Sequence, residues 1–431
     1  MSQHREPLQR RERSAVALLF LYGFGNAAAY VLARTIADSA FLSHIGPKHL
    51  PAMYMVSAGV VALASIFYGR LSRQTTPHRA VTWTLVILSV TSAILPELMH
   101  RFANSLTAFA VVYVLTQIRG TLGTIQYATL LNEHFSRERP ERVVGLAGAG
   151  ATLAGFTLGM GIGALPNDID VPSLMYLTAS FDLLTIIPVV LLARQMQQQS
   201  QIDTPDSVAP DTSSQAEQEG PIRNALHNSY VRGIAGVVMI GVVVATLVEF
   251  QWKASVADLL NRDEARLAEY FGFFYGCVYL ATGALQLFVT RRLLERRSVL
   301  AGLVAFPVSL LVTGSGILLA SVGQVLLWPV TLAKGCDIFK RSMNDPAIQI
   351  LYGPLESGSR RQAITFVAGI AKPLAEAVAA VALLGLSRWV SVRLLSVLVL
   401  ALVFVWLGAS FSVWKQFTGS VRRNVASNRE Q

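Results

Sequence analysis

Apolar residues do not alternate with polar ones along this chain. They run in blocks of about 17–25 positions closed by charged or turn-forming residues, and a helix of that length crosses a hydrocarbon core roughly 30 Å thick. The blocks predict helices near residues 14–42, 50–71, 81–99, 106–131, 145–165, 174–196, 230–258, 270–290, 299–321, 323–343, 364–387 and 389–414. The block at 323–343 is amphipathic, because it holds Lys334, Asp337, Lys340 and Arg341, yet the topology closes only with it included. The pattern therefore predicts an all-α integral membrane protein of about twelve transmembrane helices.

One long polar stretch interrupts the series. QQQSQIDTPDSVAPDTSSQAEQEGP is rich in Gln, Ser, Asp and Pro, and such a composition buries too little apolar surface to fold alone. It divides the chain into an N-terminal six-helix bundle (1–196), a cytoplasmic linker (197–229), a C-terminal six-helix bundle (230–418) and a cytoplasmic tail (419–431). Six spans on each side of a linker is the arrangement of two bundles related by an axis along the membrane normal. Basic residues collect on one side: the N-terminus, Arg70, Arg73, Arg79, Arg137, Arg139, Arg142, Arg291, Arg292, Arg296, Arg297, Arg360, Arg361, Lys415, Arg422 and Arg423. Cytoplasmic loops accumulate Lys and Arg, so both termini are expected in the cytoplasm and the chain in the cell inner membrane. GRLSRQTTPHR after the second block and TRRLLERRS after the eighth are basic turns at equivalent places, as in major-facilitator-type transporters, although any cytoplasmic loop tends to be basic.

Composition narrows the classes further. Only 14% of residues are charged, against roughly a quarter in soluble domains, so lipid is the main solvent. The formal charge of +10 does not indicate nucleic acid, because the bases sit in short loops between apolar blocks. The first fourteen residues are polar and basic and the following block lacks a small-residue cleavage site, so the first helix is expected to stay in place. Cys277 and Cys336 both lie inside apolar blocks and support neither a disulfide framework nor a metal site. No phosphate loop, GxSxG, HExxH or zinc-ligand spacing occurs, so no catalytic residue, metal or cofactor is expected and an enzyme is disfavoured. His44, His49, His78, His100, His134 and His227 fall in loops or at block ends, where a solvated ring is the default.

Ionisable residues inside the blocks are the candidate chemistry, since each costs about 2.5–3.5 kcal/mol to insert at the bilayer centre. Arg34/Asp38, Glu249/Lys253 and Lys372/Glu376 are four residues apart and Lys334/Asp337 three, so each pair shares a helix face. Each pair either lines a central cavity or neutralises itself to make the bundle tolerable. Arg119 has no opposite charge three or four positions away and lies with Gln117, Thr121 and Gln126 on a polar stripe. An uncompensated guanidinium facing a cavity suits an anionic oxygen, because its planar fork of donors matches carboxylate or phosphate. The expected substrate-binding set is Arg34, Asp38, Gln117, Arg119, Gln126, Glu249, Lys253, Lys334 and Asp337, with Asp182 set aside. In the fifth block Ala147, Ala151, Gly155, Gly159 and Gly163 recur every fourth residue, a small-residue stripe for close helix packing. Pro188, Pro307, Pro329 and Pro373 interrupt blocks and mark expected bends.

Particular segments resemble the ATP/ADP translocase family of nucleotide transporters. LVEFQWK (Leu247 to Lys253) is similar to that family's Val-Glu…Trp-Lys segment, and NDPAIQILYGPL (Asn344 to Leu355) to its Asp-Pro…Tyr-x-Pro-Leu segment. RTIADS, RERPERVVGLAGAG and AKPL fall in register with the same family. The resemblance implies a major-facilitator-like fold, antiport of nucleotides, and Glu249 as a transport-site acid with Lys253 nearby. The chain departs from the family where Ala37 replaces a lysine before Asp38, where Gln117-Ile118-Arg119-Gly120 replaces Glu-Leu-Trp-Gly, and where Ile348 and Ile364 replace bases.

These readings lead to the expectation of a secondary transporter of a small anionic solute, a nucleotide or another phosphorylated metabolite, with the bilayer as its other partner. A transporter-derived scaffold or sensor subunit that moves no solute is the alternative. The sequence leaves the oligomeric state open.

Overall fold

The computed structural model describes residues 10–102, 105–135, 140–165, 170–200, 228–287, 299–320, 324–355, 357–386 and 392–430. Most of the expected linker, and the loops holding Arg137, Arg139, Arg291, Arg292, Arg296 and Arg297, lie outside the described residues.

Helices are the only regular secondary structure among the described residues. The first nine are α1 (Arg10–His44), α2 (Leu50–Gln74), α3 (Pro77–Arg101), α4 (Leu106–Phe135), α5 (Pro140–Gly163), α6 (Leu174–Ser200), α7 (Ser229–Leu259), α8 (Glu264–Leu285) and α9 (Val299–Leu319). Composite α10 runs over 327–351, composite α11 over 357–386, and α12 is Val392–Glu430. Nine helices among the described residues are long and apolar enough to cross a membrane.

Local chemistry sets the helix ends. Pro77 starts α3 where its missing N–H costs nothing, after an extended Thr76. The Asn228 side chain accepts from the Tyr230 and Val231 amides to cap α7. Between α7 and α8, Asn261 and Arg262 are both at positive φ, and Asp263 Oδ1 accepts the Arg266 amide at 2.9 Å.

On α3 the usual soluble pattern is inverted. Trp83, Ile87, Val90 and Ile94 form an exposed stripe at helical spacing, whereas Val81, Leu85, Leu88, Ser92 and Leu95 are buried. Water would penalise such a stripe; hydrocarbon does not, so this face is the lipid-facing one.

The sequence expectation of a plain helix at 323–343 needs correction. This segment begins with a 3-10 turn at Gln324–Leu326, continues as Leu327–Gly335 and Asp337–Phe339, widens into a π turn at Lys340–Asn344, and ends with Asp345–Leu351. Helix α11 repeats the device: Ser357–Phe366, a π turn at Val367–Ala371, then Lys372–Leu386. In both, a proline (Pro346, Pro373) follows two residues after the π turn. Proline supplies no N–H to the carbonyl four residues back and its ring crowds that carbonyl, and a local widening relieves both. Pro188 and Pro307, by contrast, lie within uninterrupted α-helix.

Contacts divide the chain into two compact units that do not follow the sequence halves. Unit 1 comprises Met1–Ile45, Gly59–Ser207 and Arg262–Gly283; unit 2 comprises Gly46–Ala58, Val208–Asn261 and Ala284–Gln431. In unit 1, α1 packs on α4, α5 and α6, and α3 on α6, around Leu19, Tyr22, Val81, Leu85, Leu130, Val189 and Leu192. Helix α8 joins this unit through glycines. A Cβ on Gly159 would stand 2.5 Å from Gly276 N and 2.7 Å from the Gly272 carbonyl oxygen, so the two backbones touch where the small-residue stripe was expected to permit it. Gly155 likewise faces the Tyr279 ring. In unit 2, α7 packs on α10, α11 and α12, and α9 on α10 and α12.

Candidate functional site

Two polar clusters lie within the membrane portion of unit 1. In the first, Arg34 Nη1 donates to the Tyr30 hydroxyl at 3.0 Å, and its guanidinium lies 4.8 Å from the centroid of the Tyr275 ring. Arg34 Nε is 3.7 Å from Asp38 Oδ2, to which the Tyr275 hydroxyl donates at 2.7 Å. The arginine is therefore stacked and paired, and its carboxylate partner is almost fully buried.

The second cluster corrects the reading of Arg119 as uncompensated. Its Nη1 is 2.5 Å from Asp182 Oδ1 and its Nη2 2.8 Å from Asp182 Oδ2, a bidentate pair. Nη2 also donates to Ser92 Oγ at 2.7 Å. Arg119 is 4% exposed and Asp182 1%, so the fork is saturated inside the protein. Asp182, set aside in the sequence reading, lies 63 residues from its partner and on another helix, beyond any helical spacing rule. Of the other stripe residues, Gln126 is fully buried, accepts from the Tyr22 hydroxyl at 3.2 Å, and leaves its Nε2 without a partner among the described residues. Gln117 is half-buried.

Unit 2 holds a chain of four charges. Lys253 Nζ is 2.9 Å from Glu249 Oε1, Lys334 Nζ is 3.3 Å from Glu249 Oε2, and Lys334 Nζ is 2.6 Å from Asp337 Oδ2. Lys253 is fully buried and Lys334 nearly so, while Glu249 and Asp337 keep 22% and 15% of their side-chain surfaces. The two helical pairs expected from spacing thus join through Glu249, which serves two ammonium groups. Lys334 also lies 5.9 Å from the Trp252 ring centroid.

The third spacing pair of the C-terminal half, Lys372 and Glu376, behaves differently. They form no salt bridge among the described residues; both line a cavity of about 330 Å³ together with Lys340 and Asp345. No spacing rule would have found this cavity, because α7, α10, α11 and α12 all contribute to its wall.

His44, His49 and His100 are exposed, as the solvated default expects, whereas His78 departs from it. His78 is buried, with Nδ1 3.6 Å from Glu133 Oε2. His44 and His100 border a second cavity, of about 300 Å³, in unit 1. His44 Nδ1 lies 3.7 Å from Glu264 Oε2 and His100 Nε2 3.2 Å from Asp170 Oδ2, to which the Ser173 hydroxyl also donates. Burial holds Glu264, ahead of the apolar run of α8, above the usual carboxylate range, and the nearby His44 lowers it in part. Among the described residues no group of His, Cys, Asp and Glu side chains could hold a metal ion.

No family model matches this chain, and no curated protein matches it. Solved structures do resemble it in fold. A bacterial homologue of the human lysosomal transporter Spinster, in an inward-facing and unoccupied conformation, superposes with a TM-score of 0.64 at 10% identity over 96% of this chain and 99% of that one. The nucleoside transporter NupG matches with a TM-score of 0.59 at 9% identity over 96% and 99% of the two chains, and a point mutant of that transporter with 0.61 at 11% identity over 94% and 99%. At such identities the likeness establishes the fold: this chain is a multi-pass membrane protein with a major-facilitator-like architecture.

Proposed function

We propose that this protein is a secondary transporter of a small solute bearing an anionic group, with a nucleotide or another phosphorylated metabolite as the finer reading. The observation that carries the proposal is the chain Lys253, Glu249, Lys334 and Asp337 in unit 2. Two buried ammonium groups share one carboxylate that retains access, and a solute oxyanion arriving there would take over part of the role of Glu249 toward them. Buried charges of this kind cost free energy in a membrane bundle, and a permeation pathway gives a reason for keeping them. Arg34, with Asp38 beside it, is the corresponding cation of unit 1. Arg119 is omitted, because Asp182 and Ser92 occupy its fork.

The resemblance to solved transporters supports the transport class, and the segment LVEFQWK supports a nucleotide-like solute and exchange as the mode. The distribution of basic loops supports an inner-membrane location with both termini in the cytoplasm.

The test is uptake by vesicles reconstituted with the purified full-length protein, using a labelled panel of nucleotides and organic anions. Accumulation of at least one member above empty vesicles, reduced tenfold or more in Glu249→Gln, is the expected result. Absence of uptake of every member, with and without internal counter-solute, would overturn the proposal and favour a scaffold or sensor subunit.

A further inference from the structure

The cavity of unit 2 brings four ionisable side chains to one wall. Lys340 and Asn344 come from the first π turn, Asp345 from the helix that follows it, and Lys372 and Glu376 from the helix after the second π turn. Among the described residues none of Lys340, Asp345, Lys372 and Glu376 enters a salt bridge or a side-chain hydrogen bond. This contrasts with the neighbouring chain of Glu249, where every charge is in contact with an opposite one. Lys372 and Glu376 are exposed and Lys340 and Asp345 half-buried, so all four head groups are accessible to a solute that enters the cavity.

A second observation at the same wall is independent of the charges. Trp406 lines the cavity, is 2% exposed, and packs its ring on Gly241, yet its indole Nε1 has no partner among the described residues. Buried indole N–H groups almost always find an acceptor. π turns, too, occur preferentially where a helix has been reshaped for a site, and here two of them supply the wall.

We infer that this cavity is a binding site for a small zwitterion, its oxyanion held by Lys340 and Lys372 and its ammonium group by Glu376 and Asp345. Charge balance selects this class. The four side chains sum to zero, so a neutral zwitterion compensates both signs and adds no net charge, whereas a simple anion or a simple cation leaves one pair of the wall uncompensated. Volume sets the size: about 330 Å³ is at the lower end of metabolite pockets and suits a molecule of amino-acid size. Both lysines act as point charges toward the oxyanion, with the rotational freedom to serve either a carboxylate or a phosphate. The inference rests on the transport reading only in supposing that the oxyanion belongs to a transported solute.

Binding to the purified full-length protein tests it by calorimetry with four six-carbon probes. Norleucine and 6-aminohexanoate carry both charges at different separations, and hexanoate and hexylammonium carry one each. At least one zwitterion is expected to bind ten times more tightly than either single-charge probe. Lys372→Gln and Lys340→Gln should each weaken it tenfold or more, and Glu376→Gln likewise, while Lys372→Arg retains it within threefold. Monodispersity and an unchanged thermal midpoint identify variants that fold. Equal binding of zwitterionic and single-charge probes, no binding of either zwitterion, or full binding by folded Lys340→Gln and Lys372→Gln would overturn the assignment. Uptake scored in parallel separates the two proposals. Undiminished anion uptake by folded Lys340→Gln and Lys372→Gln variants that keep zwitterion binding overturns this site and leaves transport standing; lysine-dependent binding without any uptake by the wild type leaves the site standing and overturns transport.

Discussion

Arg119 and Asp182 meet in a bidentate pair, with Nη1 2.5 Å from Oδ1 and Nη2 2.8 Å from Oδ2, and Ser92 completes the donor set at 2.7 Å. The pair ties α4 to α6 in the interior of unit 1. With Asp182 and Ser92 on its guanidinium, Arg119 is read as a structural residue in place of the anion contact expected from its polar stripe.

Arg119→Ala should instead destabilise the protein by about 3–5 kcal/mol, because it strands a buried carboxylate. The double variant Arg119→Leu with Asp182→Leu should recover most of that loss, since removing both charges also removes the desolvation penalty. Thermal unfolding in detergent of Arg119→Ala and of the double variant checks this. Equal stability of Arg119→Ala and wild type would refute the structural role.

The contact between α5 and α8 allows a contrast within one helix. Gly159→Ala places a Cβ against the backbone of Gly276 and Gly272 and should cost about 1–3 kcal/mol. Gly161→Ala meets nothing within 4 Å and should gain up to about 1 kcal/mol from helix propensity. Midpoints that move together would show that the glycine contact does not hold α8 in unit 1.

Glu264 gives the pH dependence a sign. Burial raises its carboxyl above the ordinary range in the folded protein. Its contribution to stability is therefore full below the ordinary carboxylate value and is lost as pH rises through the folded one. Glu264→Gln removes this loss, so the fall in thermal midpoint between about pH 4 and pH 8 should be smaller in the variant than in wild type. Parallel slopes for the two proteins would show that the carboxyl is not held there as a buried acid.

Much of the fold was legible because hydrocarbon imposes a simple rule. A span must be apolar for its whole length, so Leu106 to Leu131 announces itself without any knowledge of its neighbours. Charge pairs within one helix were legible for a related reason: Glu249 and Lys253 share a face by geometry alone, and the structure pairs them at 2.9 Å. The partner of Arg119 was not legible, because 63 residues separate it from Asp182 and only the packing of α4 against its neighbours brings them together. Nor was the membership of α8. Gly272 and Gly276 lie in the C-terminal half of the sequence, and only the depth of the contact with Gly159 shows which unit they pack in. Lys372 and Glu376 show the limit of spacing rules, which establish a shared face and leave open whether the two head groups touch.

The π turns at Lys340–Asn344 and Val367–Ala371 make chain length itself a determinant of the cavity. A π turn takes up one residue more than an α turn, and each α-helical residue advances the side chains by about 100°. Deleting a single residue from Val367–Ala371 would leave a continuous helix with its apolar content intact, yet rotate Lys372 and Glu376 by more than a quarter turn relative to the residues before them. Every substitution in VAGIA that keeps its length preserves that phase, and the shortest deletion loses it. At these two places the number of residues, more than their identity, decides which side chains face the cavity.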